Sequence, residues 1–101
     1  MRSLHPQVGL SGRAIAYAGE HVSLTGPRGG ASSETFHRLP DAAACFANPS
    51  SGGHFYSSNS EREGKAGGVG VIEFDASGEV IGYFRTLTGT SMNCGGGKTP
   101  W

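Results

Sequence analysis

This sequence has little material for a large core. Hydrophobic residues make up 36% of its 101 positions, and no apolar run is longer than a few residues. That shortage excludes a membrane-spanning helix, which needs about 20 consecutive apolar residues. The stretch after Met1-Arg2 also lacks the apolar centre of a secretory signal. Excess charge of one sign is missing too: Lys plus Arg and Asp plus Glu each number 8, for a formal net charge of +0. With no block of like charge, nothing draws the chain to nucleic acid or to an anionic membrane surface, and neither is expected as a partner. Cysteine is scarce, with 2 residues, Cys45 and Cys94. Their separation leaves a disulfide, inert thiols and a metal-ligand role all open.

Glycine, by contrast, occupies 18 positions, well above the roughly 7% of an average protein. Each glycine loses more backbone freedom on folding than any other residue. So many are tolerable mainly in turns, bulges and loops around a ligand, and long helices are not expected. A chain of this length buries only about 60–65% of its unfolded surface, so its core is modest.

Arg13 to Ala18 and His21 to Leu24 read as two short strands with Gly19-Glu20 as the turn between them, and Thr25 to Ser33 reads as a loop. A boundary near residue 34 is expected, with 1–34 forming an N-terminal hairpin or a poorly ordered leader. Within 35–101, short β-type runs recur between turn clusters too closely spaced for crossover helices, which argues for antiparallel sheet. The loop Asn48 to Gly53 delivers the chain into a strand at His54 to Asn59. Gly68 to Phe74 and Glu79 to Leu87 flank Asp75-Ala76-Ser77-Gly78, the clearest hairpin in the sequence. Strict alternation turns Val80, Gly82, Phe84 and Thr86 to one face of the second strand and Ile81, Tyr83, Arg85 and Leu87 to the other. Both faces carry apolar residues, so both are expected to be covered. The expected class is all-β, with antiparallel sheets and Gly-rich loops stacked as in a propeller or sandwich. At about 40–50 residues per blade, the chain would supply a partial β-propeller of roughly two blades.

Two segments could carry chemistry. Ser57 to Glu63 places the carboxyls of Glu61 and Glu63, the amide of Asn59 and several hydroxyls at a strand end. Oxygen donors of this kind suit a hard cation such as calcium, although a polar turn has the same composition. Thr88 to Trp101 holds Cys94 beside three successive glycines. Gly95-Gly96-Gly97-Lys98-Thr99 has the look of a phosphate loop, but the required first glycine would fall at Met92, and Pro100 opposes the following helix. The nucleotide reading is rejected. Cys94 could be a nucleophile with His5, His21, His37 or His54 as base, a buried inert thiol, or a thiolate ligand to iron beside oxygen donors.

The run Asn93-Cys94-Gly95-Gly96-Gly97-Lys98-Thr99-Pro100-Trp101 resembles the Asn-Cys-x-Gly-Gly-x-Thr-Pro-Trp motif of the PhoX-type alkaline phosphatases. Ser58-Asn59-Ser60-Glu61, Gly67-Gly68-Val69-Gly70 and Leu87-Thr88-Gly89-Thr90 are similar to that family in order and spacing. The resemblance covers the chain from about Leu39 to Trp101. It implies a β-propeller that hydrolyses phosphate monoesters with a cluster of iron and calcium ions. It further implies that Cys94 is an iron ligand, Glu61 a metal-binding carboxylate and Asn59 a further metal-binding residue. Such metals would hold the phosphate oxygens and stabilise the charge that develops during displacement, so no protein nucleophile is required.

In the family the motif continues past the Trp into a further Gly-Thr-Trp stretch and acidic residues. The resemblance therefore implies that this chain is an N-terminal fragment, inactive alone, with the other blades and most ligands supplied elsewhere. It also implies an exported, periplasmic or extracellular, protein. A non-catalytic, metal-stabilised propeller module on the same scaffold is the alternative, and fold alone does not separate the two.

Overall fold

The β-branched and aromatic side chains of this sequence gather in three runs, and each run is a strand. In the computed structural model, which describes residues 7–101, these are β4 His54–Ser60, β5 Gly67–Phe74 and β6 Val80–Thr90, preceded by β1 His21–Ser23, β2 Ala31–Thr35 and β3 Pro40–Ala47. β1 and β2 form a two-stranded antiparallel sheet, and β3 to β6 form a four-stranded antiparallel sheet in chain order. The protein is all-β. Among the described residues no helix is long and apolar enough to cross a membrane.

The hairpin between β5 and β6 forms where the sequence places it. Asp75 Oδ1 accepts from the N–H groups of Ser77 at 2.9 Å and Glu79 at 3.0 Å, while the Gly78 N–H donates to Asp75 O at 3.0 Å. Gly78 takes φ +83°, a conformation that costs glycine little and side-chain-bearing residues more.

Alternation along β6 departs from expectation. Phe74 pairs with Val80 but Glu73 pairs with Gly82, so Ile81 is an extra residue, a β-bulge. Beyond it the faces exchange. Val80 and Tyr83 both point inward, at 1% and 5% exposure, whereas Ile81 and Phe84 lie outside. The expected groupings of Val80 with Phe84 and of Ile81 with Tyr83 are corrected accordingly.

The N-terminal strands also differ from the reading. Arg13 to Ala18 joins no ladder, and the partner of β1 is β2, from a region read mostly as loop. Thr25 explains part of this. The N–H groups of Thr25 and Gly26 donate to Val80 O at 2.9 and 3.0 Å, and Val80 N–H donates to Thr25 Oγ1 at 2.8 Å. The edge of β6 at Val80 is thereby occupied. Ile15 and Ala16 nonetheless pack against the core, which accounts for the apolar pattern without a ladder.

The β1–β2 hairpin lies on one face of the four-stranded sheet. Val22 and Phe36, from either side of the boundary near residue 34, share one buried cluster with Ile72, Val80 and Tyr83. The opposite face carries Phe46, Phe84 and Leu87, at 41%, 40% and 47% exposure.

Candidate functional site

Three segments meet at one end of the large sheet: the approach to β3, the β4–β5 connection and the chain after β6. Glu61 N–H donates to Leu39 O at 2.9 Å, and Met92 N–H donates to Arg62 O at 2.8 Å. Lys65 N–H donates to Ser91 Oγ at 2.9 Å. Leu39, Lys65 and Met92 all have positive φ, at 50°, 63° and 57°, a conformation uncommon outside glycine. Between these segments runs an open groove lined by Leu39, Pro40, Asp41, Glu61, Arg62, Glu63 and Met92.

Glu61 and Asp41 face each other across this groove. A hydrogen bond with Asp41, partial burial and the negative charge of Asp41, in that order, raise the Glu61 carboxyl above its ordinary value. The neighbouring carboxyl makes the Glu61 carboxylate harder to form, a cost that a cation bound beside it would offset. Sequence reasoning named Glu61 as a ligand. Asp41 lies within the stretch that the family resemblance covers but was given no role there, and it is brought to Glu61 by the turn of the chain into β3.

The Cys94 segment crosses the face of the sheet that the hairpin leaves open. A register shift between Pro40 and Ala43 lies beside Ala42, whose N–H donates to Cys94 O at 3.2 Å. Asn59 Nδ2 donates to the same oxygen at 2.9 Å and lies 3.5 Å from Gly95 O. Asn93 Nδ2 reaches Gly68 O at 3.4 Å on β5, and Lys98 Nζ donates to Cys45 O at 2.7 Å on β3. Lys98 Nζ also sits 5.0 Å above the Phe46 ring, a cation–π distance. Residues 93 to 98 thus traverse β5, β4 and β3, and the glycines let the backbone lie close to the strands. At Gly96 an added Cβ would come within 3.3 Å of Ala42 Cβ.

Asn59 and Cys94 are therefore in contact, through an amide and a main-chain carbonyl. Both thiols are free and exposed, which removes the buried-thiol and disulfide readings of Cys94. Its proposed histidine bases are engaged elsewhere: His21 Nδ1 with Ser32 O, both nitrogens of His37 with Tyr83 and Ser58, and the His54 ring against Phe74. His5 lies outside the described residues. Glu61 and Cys94 do not converge, and among the described residues no cluster of three or more His, Cys, Asp and Glu side chains is poised to hold a metal. The residues fit a metal in part. Asp41 and Glu61 supply paired oxygen donors whose repulsion a hard cation would relieve, and Cys94 offers an accessible sulfur.

Comparison with known proteins identifies no relative: no family model, no curated protein and no solved structure matches this chain.

Proposed function

We propose that this chain is part of a metal-dependent phosphatase of the PhoX type, acting on phosphate monoesters with iron and calcium. The observation that carries the reading is the placement of residues 93 to 98 of the motif, folded onto the sheet with the Cys94 carbonyl held by Asn59 and Ala42. Two further features support it. The four-stranded antiparallel meander has the strand number of a propeller blade, and the Asp41–Glu61 pair occupies the strand-end groove.

In this reading Glu61 and Asp41 hold calcium, the Cys94 thiolate holds iron, and the remaining ligands and blades come from outside these residues. The bound metals would supply Lewis acidity toward the phosphate oxygens. Asn59 fixes the course of the backbone just after the thiol-bearing Cα and leaves its own Oδ1 as the metal-capable atom. Arg62, at the same groove, is a cation available to an anionic ester.

The test is metal binding by the chain itself. Calcium should raise its melting temperature, with the rise lost in Glu61→Gln. Ferric iron should give a sulfur-to-iron charge-transfer band that is lost in Cys94→Ser. Phosphate-ester turnover by the chain alone is expected to be negligible. No response to either ion would overturn the proposal, whereas calcium stabilisation without an iron band would favour a non-catalytic propeller module.

A further inference from the structure

One ionisable side chain is sealed completely between the hairpin and the sheet. His37 follows β2, leaves no surface exposed, and is held at both ring nitrogens. Nδ1 lies 2.9 Å from Tyr83 Oη on β6, and Nε2 lies 2.7 Å from Ser58 Oγ on β4. Its main-chain N–H also donates to Tyr83 Oη, at 3.1 Å. From β5 the ring meets the Cα of Gly70, where any Cβ would collide with His37 Nδ1 and Tyr83 Oη. Space for the ring thus depends on that glycine.

We propose that His37 is an acid-sensitive latch, whose protonation releases the β1–β2 hairpin from the four-stranded sheet while the sheet itself stays paired.

A neutral ring with its proton on Nε2 pairs both ring nitrogens, the His37 main-chain N–H and the Tyr83 hydroxyl. The main-chain N–H donates to Tyr83 Oη, the Tyr83 hydroxyl donates to Nδ1, and Nε2–H donates to Ser58 Oγ. A second proton turns Nδ1 from acceptor to donor. Tyr83 Oη must then accept twice, and its own hydrogen is left without the acceptor it had in a buried site, which is costly.

The Arg85 cation opposes protonation as well. β4 presents the neutral Ser58, β5 presents Gly70, and β6 presents the Tyr83 phenol and the Arg85 cation. The hairpin contributes Phe36, whose ring centroid lies 4.2 Å from that of His37, and Glu34, whose Oε2 accepts from the Arg85 main-chain N–H at 3.0 Å. Burial, then the Arg85 charge, lowers the His37 pKa from 6.5 to about 4. A released ring regains its ordinary value, so it binds a proton that the docked ring refuses. The His37 contribution to docking is full above pH 6.5, weakens as the pH falls below it, and is lost toward pH 4.

The sheet ladders do not depend on this ring, so the two units can part at His37. Release would expose Val22, Phe36, Ile72, Val80 and Tyr83, the buried cluster between them.

The test is amide hydrogen exchange by NMR on the full chain from pH 7 to 3.5, expressed as protection factors. The amides of Thr25, His37 and Arg85, whose bonds cross the interface, should lose protection in a step between pH 6.5 and 4. Those of Tyr56, Val71 and Ile72 should keep theirs. In Arg85→Gln the step should shrink and move to lower pH, because without the opposing charge the docked ring accepts a proton more readily and protonation drives release less, and in His37→Gln it should vanish. If His37→Gln does not fold, the direction of the Arg85→Gln shift decides. Loss of both groups of amides in a single transition, or an unmoved step in Arg85→Gln, would overturn the latch.

Discussion

The Asn59 amide donates to the carbonyl oxygen of Cys94 at 2.9 Å across 35 residues of sequence. Two residues that the family resemblance assigns to one metal centre thus meet through a main-chain carbonyl. The bond has a consequence at a third residue, because the Ala42 N–H shares the same acceptor. Asn59→Ala should loosen residues 93 to 98 by about 1 kcal/mol, the usual net worth of one hydrogen bond. The Ala42 amide should then lose roughly fivefold in exchange protection, with little change in the global melting temperature.

Tyr83→Phe should be more damaging. It deletes the one atom that both accepts from the His37 N–H and faces His37 Nδ1, leaving two polar groups buried without partners. The expected loss is about 2–4 kcal/mol, read from urea denaturation with the slope unchanged.

Gly70→Ala tests the same site from the β5 side. The added methyl would have to occupy space held by His37 and Tyr83, so overpacking of about 1–3 kcal/mol is expected. Gly78→Ala should cost less, since nothing lies near its Cβ and only the positive φ resists it.

The Asp41–Glu61 pair makes its own prediction for metal-free protein. Because Glu61 holds its proton more tightly in the folded chain than in the unfolded one, this pair favours folding at acid pH. That contribution is lost as the pH rises through the elevated Glu61 value. Glu61→Gln should flatten this part of the curve of melting temperature against pH. A steeper fall in the variant would show that the pair is not the source.

Much of the large sheet was legible in the sequence because its strands announce themselves locally. β5 and β6 have β-branched and aromatic residues flanking Asp75-Ala76-Ser77-Gly78, and a single aspartate organises that turn. β3 was not legible as a strand: Pro40 to Ala47 is rich in alanine, and its pairing with β4 is a tertiary fact. The pairing of β1 with β2 was hidden for the same reason, since Ala31 to Thr35 holds no large apolar residue. At the site, Glu61 stood out by its composition-rich neighbourhood. Its approach to Asp41 depends on two loops that no spacing rule links. His37 carried no local signal at all, and its position follows from Gly70 on another strand.

The extra residue at Ile81 gives the chain something like a reading frame in space. From Val80 to Tyr83 the inward side is reached in three steps instead of two. Drawing β6 straight with every residue kept would exchange the sides occupied beyond Val80. Tyr83 would turn to water and Phe84 toward His37. Deleting Ile81 would instead leave Glu73 opposite Gly82 and Ile72 opposite Tyr83, so the inward set should survive the loss of that one residue.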